Sequence, residues 1–265
     1  MTLIRWQQVA EESVRQGGEE VRRRFGTGLT ATAKRGPDLV TAADLASEER
    51  ILDVLRAAEP SFGLVSEEAG AQNGDAEYVW LVDPLDGTNN FAIDSPYVGV
   101  AVTLLRHDEP IVAVTHNPIV GTVWSATAGG GAYRDGIPIR VNPSRPPAGA
   151  TVAFVQGYPA VPSLASLLQG TIFGQVKRIL TNWAPALDWC LLAHGGIDAL
   201  ISLDSEQEDQ LGGALIAREA GALLTDFDGR VADPAAPRLL AAASPATQRH
   251  LLDLFQKFNA GSVGR

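Results

Sequence analysis

From residue 3 to residue 25, apolar positions Trp6, Val9, Val14, Val21 and Phe25 recur at roughly helical spacing among polar and charged neighbours. That period predicts a first helix. A second helix is predicted over 42–58, where Leu45, Leu52 and Leu55 share one side. The rhythm then shortens. Apolar runs at 62–66 (FGLVS), 78–82 (YVWLV), 97–105 (YVGVAVTLL), 111–115 (IVAVT) and 122–126 (TVWSA) predict strands. Residues 132–141 (AYRDGIPIRV) predict a hairpin turning at Asp135-Gly136.

A Pro/Gly-rich stretch, NPSRPPAGA at 142–150, ends this pattern. Beyond it, strands are expected at 151–155, 176–180, 198–203 and in ALLTDF (222–227). They alternate with helices near 163–169, 184–194, 207–220 and 245–258. The expected organisation is therefore an N-terminal α+β half, 1–145, with two helices and an antiparallel sheet. A C-terminal α/β half, 146–265, would carry a largely wound sheet. A cleft between such halves is where ligands tend to bind.

Composition narrows the function classes. Hydrophobic residues make up 45% of the 265 residues and charged residues 20%, which allows a sizeable core. The formal charge is -10, which disfavours nucleic acid as a partner. The basic cluster Arg22-Arg23-Arg24 lies beside Glu19 and Glu20 and reads as a solvated helix face. Cys190 is the one cysteine and lies in an apolar flank, so a packing role is expected and no disulfide within the chain can form. No uncharged run reaches the ~18 residues of a membrane span, and a cytoplasmic location is the default expectation.

The stretch LVDPLDGTNNF at 81–91 interrupts an apolar strand with acid and turn chemistry. If the strand ends at Asp83, Pro84 fixes the backbone, and Asp83 and Asp86 can face one side with the Leu85 carbonyl between them. Two carboxylates and a carbonyl suit a hard cation such as Mg²⁺. Gly87 and Thr88 can begin a helix whose free N–H groups point at an anion. Asp, Pro, Gly and Asn are also the ordinary residues of turns. Three further stretches carry the same double meaning. Glu67 closes a strand in Ser66-Glu67-Glu68, and Thr41-Ala-Ala-Asp44 also fits a capping box. Glu208-Asp209 would sit in the first turn of a helix, where acids suit the dipole.

Taken in order, these segments resemble the inositol monophosphatase family. Its pattern is D-x-V-T-x-x-D, then G-E-E, then W-x-V-D-P-I/L-D-G-T-x-N-F, and late in the chain W-D-x-A-A-G with a helix ending E-A-G-G. They stand here as Asp38-Leu-Val-Thr-Ala-Ala-Asp44, Ser66-Glu-Glu68 and Trp80-Leu-Val-Asp-Pro-Leu-Asp-Gly-Thr-Asn-Asn-Phe91. The last appears as Glu208-Asp-Gln-Leu-Gly-Gly213, with Glu219-Ala-Gly221. The resemblance implies a layered αβαβα sandwich and Mg²⁺-dependent hydrolysis of a small phosphate monoester, with two or three ions. It implies that Glu67, Asp83 and the Leu85 carbonyl hold one metal, and that Asp83, Asp86 and Asp209 hold a second. Asp44 and Thr88, with Glu67, would handle the attacking water, and the Gly87 and Thr88 amides the phosphate. A homodimer is implied as well.

Departures from the family pattern fall on the substrate side. Glu208 replaces the Trp of W-D, and Leu211-Gly212-Gly213 replaces A-A-G. Asn182-Trp183-Ala184-Pro185-Ala186 stands where the family has G-S/T-A-A. Ser202 occupies the place of a Glu that contacts inositol hydroxyls in inositol-specific members. Ser202 and Glu208 are therefore the candidate substrate contacts, and the acidic 204–208 segment could meet hydroxyls or an amine, or be a solvated loop ahead of the helix. Inositol 1-phosphate is the default substrate. Histidinol phosphate, a sugar phosphate or bisphosphate, and 3′-phosphoadenosine phosphate are alternatives, as is a non-catalytic binding or regulatory member. Lys34 or Arg35 could add positive charge near the phosphate, or be surface residues.

Overall fold

The computed structural model of the chain describes residues 3–28, 32–33, 39–73, 76–157 and 162–262. Lys34 and Arg35 lie outside the described residues. The chain begins with α1 (Leu3–Arg24), a short β1 (Thr32–Ala33) and β2 (Leu39–Val40) pair, and α2 (Ala42–Ala58). Next come β3 (Gly63–Ser66), β4 (Gly70–Gln72), β5 (Tyr78–Asp86) and the single-turn α3 (Thr88–Ala92). Strands β6 (Gly99–Arg106), β7 (Glu109–Asn117), β8 (Thr122–Thr127), β9 (Gly131–Arg134) and β10 (Ile137–Ile139) follow as a meander.

The remaining elements are β11 (Thr151–Gln156), α4 (Pro162–Ile172), β12 (Arg178–Leu180), α5 (Pro185–Ala193) and β13 (Ala199–Leu203). After them come α6 (Gln207–Glu219), β14 (Leu223–Thr225), β15 (Arg238–Ala242) and α7 (Pro245–Ser262). The eight-stranded sheet has the order β10-β9-β8-β7-β6-β5-β3-β4, and the five-stranded sheet β12-β11-β13-β15-β14.

Alternation along the strands explains the layering, because successive side chains point to opposite faces. On β5, Trp80 and Val82 join the core beneath α1 and α2, while Val79 and Leu81 join Leu211 of α6 on the other face. On β11, Val152 and Phe154 pack toward α4 and α7, while Ala153 and Val155 pack toward α5 and α6. The central strands of both sheets are covered on both faces, and for that reason they read as continuous apolar runs. The result is the expected αβαβα sandwich, with α5 and α6 as the middle layer.

Close approach is built into that layer. A Cβ on Gly212 would stand 2.2 Å from Thr103 Oγ1 of β6, and one on Gly213 2.4 Å from the Trp189 ring of α5. Two adjacent glycines thus let α6 lie against the large sheet and α5 at once. This gives a packing reason for the Leu211-Gly212-Gly213 departure.

The sheets differ from the expectation in several respects, the short strands β1, β2 and β4 among them. β3 pairs with β5 in parallel, so the first sheet is mixed rather than antiparallel. In the second sheet only β12, β11 and β13 run parallel, and β13, β15 and β14 pair antiparallel. β15 was not expected at all, since its sequence RLLAA has little β-branched or aromatic character. Among the described residues, no helix is long and apolar enough to cross a membrane.

Candidate active site

β5 runs three residues past the expected end at Asp83, and a bulge lies in the extension. Asp83 pairs with Ala101 and Asp86 with Gly99, so two residues of β5 oppose one of β6 between them. Residues three apart in a regular strand face opposite sides. One extra residue corrects the parity and turns both carboxylates the same way. Neighbouring groups hold the bulge. Ser47 Oγ of α2 donates to the Pro84 carbonyl at 2.8 Å, and the Leu85 N–H donates to Asp83 Oδ1 at 2.9 Å. Gly99 leaves space opposite, since a Cβ there would stand 3.1 Å from Asp86 Oδ2.

Asp209 reaches the same point from the first turn of α6. One carboxylate oxygen from each of Asp83, Asp86 and Asp209 lies within 4.8 Å of the others. Glu67 approaches from the turn after β3. That turn is gathered by Glu48 of α2, whose Oε1 accepts from Ser66 Oγ, from the Glu68 N–H at 3.2 Å and from the Ala69 N–H at 3.0 Å. Glu67, Asp83, Leu85, Asp86 and Asp209 all line one cavity of about 650 Å³. The dipole and ligand readings of Asp209 are compatible, because the helix start aims the side chain.

The electrostatics fit a cation. Burial first, then the charges of Glu67, Asp209 and Asp86, raise the proton affinity of Asp83 well above the usual carboxylate range. Asp86 is raised similarly, by burial and then by Asp209 and Asp188. Its Oδ1 is buried and has no hydrogen-bond partner, although Oδ2 accepts from the Leu187 N–H at 3.3 Å. Buried acids that repel one another, with one oxygen unsatisfied, are the donor set a hard divalent ion would complete.

Asp44 stands behind the cavity and serves two elements. Its Oδ2 accepts from Thr41 N at 2.8 Å and Thr41 Oγ1 at 2.6 Å, which is the capping box of α2. Its Oδ1 lies 3.0 Å from Thr88 Oγ1, whose proton can go there or to the Leu85 carbonyl at 3.1 Å. Burial raises the Asp44 carboxyl to about 6 against these hydrogen bonds. The capping and catalytic readings of the segment therefore describe the same carboxylate. Gly87, with φ at +89°, takes the left-handed turn that starts α3 beside the cavity.

On the substrate side the predicted residues separate. Glu208 lines the cavity. Ser202 is fully buried on β13 and does not line it; its Oγ donates to Gln210 Oε1 at 2.5 Å. Sequence reasoning passed over Asp188, which lines the cavity from α5 and accepts from Tyr97 Oη at 2.7 Å and Asn182 Nδ2 at 2.6 Å. Burial raises its carboxyl to about 6. An acid inside the apolar run PALDWCLLA was the available signal.

The sequence pattern of the inositol monophosphatase family matches residues 3–260. The "Nus factor SuhB" of Pasteurella multocida is 32% identical over 236 residues, 86% of each chain. The "Fructose-1,6-bisphosphatase/inositol-1-monophosphatase" of Aquifex aeolicus is 30% identical over 260 residues, 97% of each chain. Among solved structures, the extragenic suppressor protein suhB of Bartonella henselae superposes with a TM-score of 0.89 at 25% identity. The match covers 96% of this chain and 99% of that one.

Proposed function

The chain belongs to the inositol monophosphatase family of phosphatases, and from that premise we propose that it hydrolyses the phosphate monoester of a small alcohol with Mg²⁺. Inositol 1-phosphate is the reference substrate. The observation that carries the reading is the convergence of Asp83, Asp86 and Asp209 on one point of an acidic cavity.

In this reading Glu67, Asp83 and the Leu85 carbonyl hold one ion, and Asp83, Asp86 and Asp209 a second. Bound Mg²⁺ supplies Lewis acidity, lowering the pKa of water and offsetting charge on phosphate and leaving oxygens. The chain's own residues do the rest. Thr88 Oγ1, backed by Asp44, orients the attacking water, and Asp44 receives its proton. The Gly87 and Thr88 amides face the phosphate oxygens. Glu208 meets the leaving group, whereas Ser202, held by Gln210, acts as part of the wall. Residues 1–145 thus supply every candidate ligand but Asp209, and 146–265 supply the leaving-group side.

A second substrate class, a sugar bisphosphate, draws its support from the name of the Aquifex relative. We further propose a cytoplasmic homodimer, which sedimentation would test. The deciding assay is phosphate release from inositol 1-phosphate, fructose 1,6-bisphosphate, histidinol phosphate, glycerol 2-phosphate and 3′-phosphoadenosine phosphate, with and without Mg²⁺. Mg²⁺-dependent release supports the reading. Its absence from the whole panel would favour a non-catalytic binding or regulatory role.

A further inference from the structure

We propose that Asp188 is a specificity-determining residue of this site, its Oδ2 accepting a hydrogen bond from a hydroxyl of the leaving alcohol. This role rests on the phosphatase reading and adds to it a residue that no sequence motif singled out.

The carboxylate is held in one orientation. Asp188 stands in the first turn of α5 and is only 1% exposed, yet it lines the cavity. Two donors meet on one of its oxygens: Tyr97 Oη at 2.7 Å and Asn182 Nδ2 at 2.6 Å both give to Oδ1. Burial, then the charge of Asp188, raises the proton affinity of the Tyr97 phenol, so its Oη stays a donor. Both donor residues are fixed in turn by buried Asn90 of α3. Its Nδ2 donates to the Tyr97 carbonyl at 2.8 Å and to the Asn182 carbonyl at 2.6 Å. Rotating the Asp188 side chain would break both bonds to Oδ1.

The second oxygen is left over. Among the described residues no donor reaches Asp188 Oδ2, and with Oδ1 turned to Tyr97 and Asn182 it is Oδ2 that the residue presents to the cavity. A nearly buried carboxylate oxygen without a donor is costly, and native structures seldom keep one without a use. The donor therefore comes from what the cavity holds. Phosphate oxygens only accept and carry like charge, whereas a hydroxyl on the alcohol donates. Asp188 is also near the chemistry: the adjacent Leu187 N–H donates to Asp86 Oδ2 at 3.3 Å, and the charge of Asp188 acts on Asp86. The hydroxyl selected is thus one close to the esterified carbon. A buried acceptor discriminates against an analogue lacking that hydroxyl far more strongly than an apolar wall discriminates between neighbouring homologues.

The test compares glycerol 2-phosphate with the analogue carrying fluorine in place of both hydroxyls, each assayed with Mg²⁺. Fluorine is close to hydroxyl in size and cannot donate, and it withdraws electrons more strongly, so leaving-group acidity favours the analogue. We nevertheless expect kcat/KM in the wild type to be about thirtyfold higher for glycerol 2-phosphate. Asp188→Asn keeps its carbonyl oxygen on Tyr97 and Asn182 and turns an uncharged amide to the cavity, so the ratio should fall to about fivefold. Tyr97→Phe removes one of the two donors that orient the carboxylate and should narrow the ratio as well. A purely structural loss would lower kcat/KM for both esters and leave their ratio unchanged. Equal kcat/KM in the wild type, or a ratio that neither substitution moves, overturns the inference and leaves the phosphatase reading standing. A raised Mg²⁺ requirement in Asp188→Asn with an unchanged ratio would assign Oδ2 to a metal-bound water and overturn it equally. No Mg²⁺-dependent phosphate release from either ester or from inositol 1-phosphate overturns both.

Discussion

Asp44 Oδ1 lies 3.0 Å from Thr88 Oγ1, joining the first turn of α2 to the first turn of α3 across 44 residues of chain. The other oxygen of the same carboxylate caps α2. One side chain therefore sets both a helix start and a hydroxyl that lines the cavity, and substitutions can separate the two duties. Asp44→Asn keeps an oxygen for Thr41 but cannot take a proton. We expect it to lower kcat by about 10²–10⁴-fold with little loss of stability. Asp44→Ala should add about 0.5–2 kcal/mol of destabilisation from the lost cap, read as a lower urea midpoint. In the wild type, the acid limb of the pH–rate profile should fall at or below about 6, because a nearby metal ion lowers the Asp44 value further.

The metal-free chain should lose stability as pH rises. Asp83 and Asp86 bind protons more tightly folded than unfolded, with burial as the leading cause. The folded state then holds more protons, so stability falls as pH climbs from the ordinary carboxylate range near ~4 through the raised folded values. Mg²⁺ should reverse that loss, adding about 2.7 kcal/mol of stability at a hundredfold excess over Kd and raising Tm more at pH 8 than at pH 5. Melting curves in EDTA and in Mg²⁺ at both pH values check this. A Tm increment independent of pH would contradict it.

Asp83→Asn should act in opposite directions on folding and on activity. It removes one of the mutually repelling buried charges, so the metal-free protein should melt higher than the wild type above pH 7. The same change should abolish both phosphate release and the Mg²⁺-induced rise in Tm. An active variant would rule out Asp83 as a shared ligand.

Glu48 should control how firmly the Glu67 turn is held. It gathers Ser66, Glu68 and Ala69 through one oxygen while remaining only 7% exposed. Glu48→Ala leaves those donors without that acceptor and should cost about 1–3 kcal/mol. It should also raise the Mg²⁺ concentration needed for half-maximal phosphate release. Glu48→Gln, which retains an acceptor oxygen, should restore most of both.

Gly212→Ala tests whether the middle layer positions Asp209. The added methyl would meet Thr103 Oγ1 in a packed sheet face, an overpacking worth about 1–3 kcal/mol. Because α6 carries Asp209 three residues earlier, weaker Mg²⁺ binding should accompany the lower Tm. Unchanged Mg²⁺ dependence would place the strain away from the first turn of α6.

Much of this protein was legible along the chain. Long periodic segments gave their helices to within a few residues, with α2 at Ala42–Ala58 as expected, because one buried face repeats over many turns. The acids at 44, 67, 83, 86 and 209 were identifiable through motif resemblance, since their spacing is local chemistry written in order. Strand directions were not legible: the parallel β3–β5 pair and the antiparallel β15 depend on which strands meet, and an apolar run fits either direction. The bulge that aligns Asp83 with Asp86 is a property of pairing with β6 and exists in neither strand alone.

Residue types and intervals thus determined the elements and the kind of chemistry, because hydrophobic period and donor type act over neighbouring residues. Tertiary structure alone decided that Ser202 turns into the core while Asp188 and Trp183 face the cavity. It also decided that a helix cap doubles as the partner of Thr88. Those outcomes arise between residues many positions apart, where packing of the sheets and the middle helices selects one side for each chain segment.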